Sequence, residues 1–242
     1  QKLGALGALA KWIREENIDD DILLLAGDNY CECDLATFTA MFRGNPLLAA
    51  HDLGDPGRAR QFGTVMFNPD LEHGTLLRRV TGFEEKPAHP KSSCVSAGWW
   101  VLPKATLPVL AEYAAKKPDN VGGIFEELLR RGIAVDCYVF TERWKDIGSF
   151  GSYMAIHQDL VADKHLIGEG AAVDEASVLA GSVAIGPKST VEGSTLTDCI
   201  VFGGVKIRDC VLTRCIIDAG CELQGVDLTE KMLREGTVLR RT

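Results

Sequence analysis

Ile22-Leu23-Leu24-Leu25-Ala26-Gly27-Asp28-Asn29-Tyr30 is the stretch on which the fold turns. Its apolar run followed by Gly-Asp-Asn predicts a strand buried on both faces, as in a parallel sheet, stopping at a tight turn. The turn sets one carboxylate, Asp28, just past the strand's C-terminal end. That is the edge at which open α/β sheets bind ligands. An unpaired charge beside a buried strand is costly, so Asp28 reads either as a turn aspartate or as a ligand-facing carboxylate.

Outward from this strand, helices and strands alternate. Residues 3–16 predict a helix with Leu3, Leu6, Leu9, Trp12 and Ile13 on one face. Residues 35–42 suit a helix with Asp34 as its N-cap. Residues 47–50 suit a second buried strand, 52–61 a polar loop, and 62–67 a strand. Another strand over 76–83 ends at Glu84-Glu85-Lys86-Pro87, where proline stops it. A strand over 96–102, helices over 107–115 and 123–130, and a strand over 135–140 follow. Residues 144–149 read as a loop, with Ser149 capping a helix that runs to 161. This alternation predicts α/β architecture.

Charge and composition narrow the function. A net charge of −8 lacks the basic balance expected of a phosphate-backbone binder, which argues against nucleic acid as a partner. A few local cations would still suffice for a phosphorylated small molecule. No apolar run reaches membrane-spanning length, which argues against a membrane partner. The eight cysteines form no C-x-x-C pair, and no signal peptide precedes them. The expectation is a reduced, cytoplasmic protein rather than a zinc or disulfide framework.

After about residue 165 the pattern changes. Apolar residues recur every six positions at Ile167, Val173, Leu179, Ile185 and Val191, and after a slip of two at Val205, Val211, Ile217 and Leu223. Nine hexads predict a parallel β-helix of about three triangular coils. Cys199, Cys210, Cys215 and Cys221 fall inside it as small packing residues. The expected domains are 1–163 and 164–242.

Six motifs in order carry a resemblance: Leu3-Gly4-Ala5-Leu6-Gly7-Ala8-Leu9, Gly27-Asp28-Asn29, Phe62-Gly63-Thr64-Val65, Phe83-Glu84-Glu85-Lys86-Pro87, Ser96-Ala97-Gly98 and Trp144-Lys145-Asp146-Ile147-Gly148. With the hexads behind them, the chain resembles the sugar-1-phosphate nucleotidylyltransferases over essentially its whole length, most of all the glucose-1-phosphate thymidylyltransferase branch. The resemblance implies a Rossmann-like α/β nucleotide-diphospho-sugar transferase domain followed by a left-handed parallel β-helix. It also implies a reaction in which a sugar-1-phosphate oxygen attacks the α-phosphate of a nucleoside triphosphate and pyrophosphate leaves.

By that resemblance, Asp28 and Asp146 are catalytic ligands of Mg2+, and Lys86 holds the sugar phosphate. Glu85 accepts hydrogen bonds from sugar hydroxyls. Gly63 and Gly98 let the backbone approach the sugar, and Gly4 lies against the base. Ser96 stands where many members have asparagine, so its sugar contact is shorter or lost. Trp144 is either a sugar-side wall or loop packing. Ala5 replaces a common threonine. The family opens with a strand and a Gly-rich loop whose arginine and lysine bind the triphosphate. These residues contain no such stretch and begin at Gln1, so the expectation is an N-terminally truncated domain, inactive alone. A homo-oligomer built through the β-helix is a further expectation.

Two other readings stand beside this one. A regulatory or assembly subunit could keep the fold without catalysis, though it would have no need to retain Asp28, Glu85, Lys86 and Asp146 together. Acyl transfer by the β-helix would call for a histidine base, and none of the five histidines falls within the hexads.

Overall fold

The structure, a computed structural model, describes residues 3–67 and 76–241. It divides into two compact units, Gln1–Asp146 and Ile147–Thr242. In the first, helix α1 (Ala5–Glu15) is followed by strands β1 (Ile22–Leu25) and β2 (Asn29–Cys31), helix α2 (Leu35–Ala40), and strands β3 (Leu47–Asp52), β4 (Gly63–Phe67), β5 (Leu77–Glu85) and β6 (Cys94–Leu102). Helices α3 (Leu107–Lys116) and α4 (Gly123–Arg130) and strands β7 (Asp136–Phe140) and β8 (Trp144–Asp146) complete it.

Six strands form one sheet in the order β1-β6-β3-β7-β5-β4. Among its described pairs only β3 and β7 run parallel. The sheet is therefore mixed rather than parallel throughout. Its doubly buried strand is β3: Leu47 and Ala49 face one apolar cluster, Leu48 and Ala50 the other. One cluster packs the sheet against Leu6 of α1, Leu110 of α3 and Phe125 of α4. The other packs it against Phe38 of α2 and Trp144. Fully burying such side chains stabilises by about 1.5–3 kcal/mol each.

The expectation for β1 needs correction. It is an edge strand, antiparallel to β6, with Ile22 and Leu24 toward the core and Leu23 and Leu25 42% and 45% exposed. An apolar run has no periodicity with which to tell a central strand from an edge. Helix α1 is also narrower in its apolar stripe than expected: Leu6, Leu9 and Ile13 pack inward while Leu3 and Trp12 are exposed. Residues 56–61 form a 3-10 turn capped by Asp55, whose carboxylate accepts the Gly57 N–H at 2.8 Å. Helix α2 begins where expected, with Asp34 accepting the Thr37 N–H at 2.8 Å.

The second unit opens with helix α5 (Phe150–Val161), whose N-terminus is a reciprocal cap between Ser149 and Ser152. Fourteen strands of two or three residues follow, stacked in three parallel sheets of five, four and five, the pattern of a hexapeptide β-helix. One correction applies. Val173 pairs with Val191, but Val191 pairs with Ile207, Ile207 with Leu223 and Leu223 with Leu239. One coil of eighteen residues is thus followed by coils of sixteen, and nearly five coils stack instead of three. Leu212 therefore fills the interior while Val211 is 48% exposed. Helix α5 packs with this compact unit: buried His157 places Nε2 2.9 Å from the Ser182 carbonyl oxygen. His165 opens the first strand of the solenoid and is exposed, two positions before Ile167, where the hexads begin.

Cys199, Cys210, Cys215 and Cys221 are buried in the solenoid interior. On one outer face a cleft of about 250 Å³ is bridged by ion pairs between stacked coils. Arg208 meets Glu192 at 2.7 Å, and Glu222 meets Lys206 at 3.0 Å and Arg240 at 3.1 Å. Its charges are already paired, which makes it stabilising surface worth about 0–1 kcal/mol per pair.

Candidate active site

The turn after β1 is fixed by its neighbours. Ala26 N–H donates to the Gly98 carbonyl at 2.9 Å. Gly98 has φ +75°, and a Cβ there would stand 2.8 Å from Ala26 Cβ and 3.4 Å from Asn29 Nδ2. Glycine is therefore required twice over, by conformation and by approach. Asn29 Nδ2 in turn donates to Asp28 Oδ1 at 3.0 Å, and the Asp28 side chain is exposed.

Strand β2 pairs antiparallel with β8, in a register that sets Asn29 opposite Asp146 and Cys31 opposite Trp144. Residues 144–146 were expected as loop. This short ribbon is what brings Asp28, one position before Asn29, beside the Asp146 position. Three residues are too few to show strand periodicity.

A second group of expected residues meets at the end of β5. Gly63 lies opposite Glu85 in the β4–β5 ladder, and a Cβ on Gly63 would reach 2.8 Å from Glu85 Oε2 and collide with the Phe83 ring. The Glu85 side chain thus lies over bare backbone. Its carboxylate accepts the Gly122 N–H, and its own N–H donates to Glu126 Oε1 at 2.8 Å. Burial raises the Glu85 pKa; Lys86 opposes the shift, Glu126 adds to it and the Gly122 N–H opposes it. Lys86 is exposed at φ +48°, and its N–H donates to the Phe62 carbonyl at 3.1 Å.

Sequence reasoning passed over the loop that closes this group, Asp119-Asn120-Val121-Gly122-Gly123. A Cβ on Gly122 would collide with Glu85 Oε2, and one on Gly123 with Tyr113 Oη. Tyr113 is 8% exposed and its hydroxyl has no hydrogen-bond partner. Consecutive glycines thus make room for two polar side chains arriving from β5 and α3. The Gly-Gly pair ahead of a helix was the available signal, since neither residue needs a positive φ.

The remaining expected residues are placed less directly. Ser96 Oγ accepts the Trp100 indole N–H at 3.1 Å, leaving its own proton to give. Gly4 has φ +68° and lies against Pro118 and Asp119 at the start of α1, where Leu6 N–H donates to the Pro118 carbonyl at 2.9 Å. Trp144 is 6% exposed and packs edge-on against Phe62, ring centroids 5.3 Å apart. Of its two readings the geometry gives packing: a buried indole is not an open wall.

No group of three or more His, Cys, Asp or Glu that could hold a metal is present among the described residues. Two aspartates at one ribbon end still fit Mg2+ by donor chemistry. That ion takes hard oxygen ligands and is held by one or two carboxylates together with substrate phosphates. No helix among the described residues is long and apolar enough to cross a membrane.

Comparison with known proteins gives two matching families. One described as nucleotidyl transferase matches residues 1–163, and one described as GlmU-like, C-terminal hexapeptide matches residues 152–229. A Streptomyces antibioticus protein named glucose-1-phosphate thymidylyltransferase is 28% identical over 198 residues, covering 79% of this chain and 52% of its own length. A Bacillus mycoides glucose-1-phosphate adenylyltransferase is 27% identical over 217 residues, 75% of this chain and 53% of that protein. A Sulfolobus acidocaldarius protein, named provisionally as a mannose-1-phosphate guanyltransferase, is 28% identical over 207 residues, 83% of this chain and 53% of that one. The chain spans about half the length of these curated relatives.

Proposed function

The chain belongs to the nucleotidyl transferase family, and from that premise we propose that it transfers a nucleotidyl group from a nucleoside triphosphate to a sugar-1-phosphate, as a glucose-1-phosphate thymidylyltransferase does. One observation supports the reading: the β2–β8 ribbon pairs Asn29, the residue that follows Asp28, with Asp146, in an antiparallel register that no strand periodicity foretold.

In this reading the sugar-1-phosphate oxygen attacks the α-phosphorus and pyrophosphate departs, so the protein's work is positioning and charge neutralisation. Glu85, held over Gly63 and tied to Gly122, accepts hydrogen bonds from sugar hydroxyls. Lys86 supplies a compact counter-charge to the sugar phosphate. Gly63 makes room for the Glu85 carboxylate and Gly98 for the turn after β1, which shapes the sugar side of the site, and Ser96 has one proton left to donate. Gly4, at the first turn of α1, is on the base side. Asp28 and Asp146 would hold Mg2+, which when bound neutralises charge on the phosphates. The three relatives carry names with three different bases, so base and sugar are left to measurement.

The test, run on the chain preceded by the strand and Gly-rich loop with which the family opens, measures pyrophosphate release with each nucleoside triphosphate against glucose- and mannose-1-phosphate. Lys86→Met should raise KM for the sugar phosphate more than for the triphosphate, as loss of uniform binding does. Asp28→Asn and Asp146→Asn should lower turnover by orders of magnitude and raise the magnesium requirement. A Lys86→Met variant that shifts only the triphosphate KM would refute the assignment.

A further inference from the structure

Lys86 and Asp146 stand on different elements, one just past β5 and the other on β8. We propose that the edge-to-face contact of Phe62 with Trp144 fixes the position of one against the other, which makes Trp144 a positioning residue. The proposal rests on the nucleotidyl-transfer reading of this site.

The chain of contacts is short. Lys86 adopts a left-handed backbone conformation that a residue with a side chain keeps only when its neighbours hold it. What holds it is the Phe62 carbonyl, which accepts the Lys86 N–H. The Phe62 ring meets Trp144 at 70° with centroids 5.3 Å apart. Trp144 is locked into the ribbon opposite Cys31, and two residues along the same strand Asp146 lies opposite Asn29, whose side chain holds Asp28. A shift of the Trp144 ring therefore reaches both groups.

The choice of side chain supports this role. The indole N–H of Trp144 is buried without a partner, and so is Nδ1 of His51, whose ring lies 5.9 Å from that of Trp144. An apolar ring would fill the space without an orphaned donor. What the indole adds is span, since it touches Phe62 on one side and His51 on the other.

Native-state hydrogen exchange tests the coupling directly. One reporter is the Lys86 amide; the other is the Glu32 amide, which donates to the Arg143 carbonyl beside the ribbon. Trp144→Leu should speed exchange at Lys86, and Phe62→Leu at Glu32, by several-fold to about tenfold. The double variant should fall short of the product of the two singles. Trp144→Phe, which keeps a ring edge for Phe62, should restore most of the protection. Phe38→Leu controls for general loosening, because that ring sits in the same apolar cluster but pairs with Trp99 and Tyr138. If each variant speeds only the amide beside it, or if Phe38→Leu speeds both reporters equally, the coupling is refuted. Calorimetric titration with glucose-1-phosphate separates the two claims. Failure of the unaltered chain to bind either it or, in a parallel titration, mannose-1-phosphate would overturn the functional reading, while the exchange result would still decide the coupling.

Discussion

The carboxyl of Glu85 is pushed above the ordinary carboxylate range, first by burial and also by Glu126, against the pull of Lys86 and the Gly122 N–H. A raised folded pKa means that protonation favours the folded state. The stability this group contributes is complete below its unfolded pKa and is lost as pH rises through the folded one. Activity should run the opposite way, because only the ionised form is a full hydrogen-bond acceptor for sugar hydroxyls. Sugar-phosphate affinity should therefore climb with pH across that window, and Glu85→Gln should flatten the climb. A Glu85→Gln profile that keeps the same rising limb would assign the titration to another group. At Gly123 the usual sign of a helix substitution reverses. Glycine to alanine in an open helix stabilises by about 1 kcal/mol, yet a Cβ here collides with Tyr113 Oη and stands 2.6 Å from Asn120 Oδ1. Gly123→Ala should cost about 1–3 kcal/mol in denaturant unfolding. Tyr113→Phe removes an orphaned hydroxyl, so alone it should be neutral or stabilising, and it should recover part of the Gly123→Ala loss. Additive effects of the two changes would show that the hydroxyl is not the obstacle.

At the scale of elements, what the sequence disclosed depended on length and chemistry. Asp34 and Ser149 announced α2 and α5 because capping is local. Pro87 marked the end of β5 for the same reason. The β2–β8 ribbon was not legible. Its three pairs join residues more than a hundred positions apart, and nothing within Trp144-Lys145-Asp146 has a period to detect. The orientation of β1 was hidden too, since Ile22 to Leu25 reads alike at a sheet's centre and at its edge, and only the partner strand decides. The site residues named from motifs were legible as chemistry but not as geometry. Trp144 reads equally as a wall or as packing until its burial is known, and Glu126, which holds the Glu85 backbone, carries no motif.

At the scale of the whole molecule, the solenoid shows how a correct period can give a wrong frame. Six-residue spacing holds from Ile167 to Val191, and the slip then recurs in each coil, because the later coils have sixteen residues. Inside a three-residue strand such as Val211-Leu212-Thr213, the middle side chain turns inward and its neighbours turn out. A frame carried forward by sixes keeps Ile217 inside but also puts Val211 there, whereas the coils put Leu212 in its place. Paired substitutions distinguish the frames. Ile217→Asp buries a charge with no partner and should destabilise the chain by several kcal/mol. Val211→Asn changes an outward position and should stay within about 0.5 kcal/mol. Asparagine is the better probe there because Val211 pairs with Asp227, and an aspartate would add repulsion of its own. Thermal unfolding followed by circular dichroism reads both. Comparable losses at the two positions would return Val211 to the interior and with it the unbroken hexad frame. A loss at Ile217 alone would establish the sixteen-residue coil in solution.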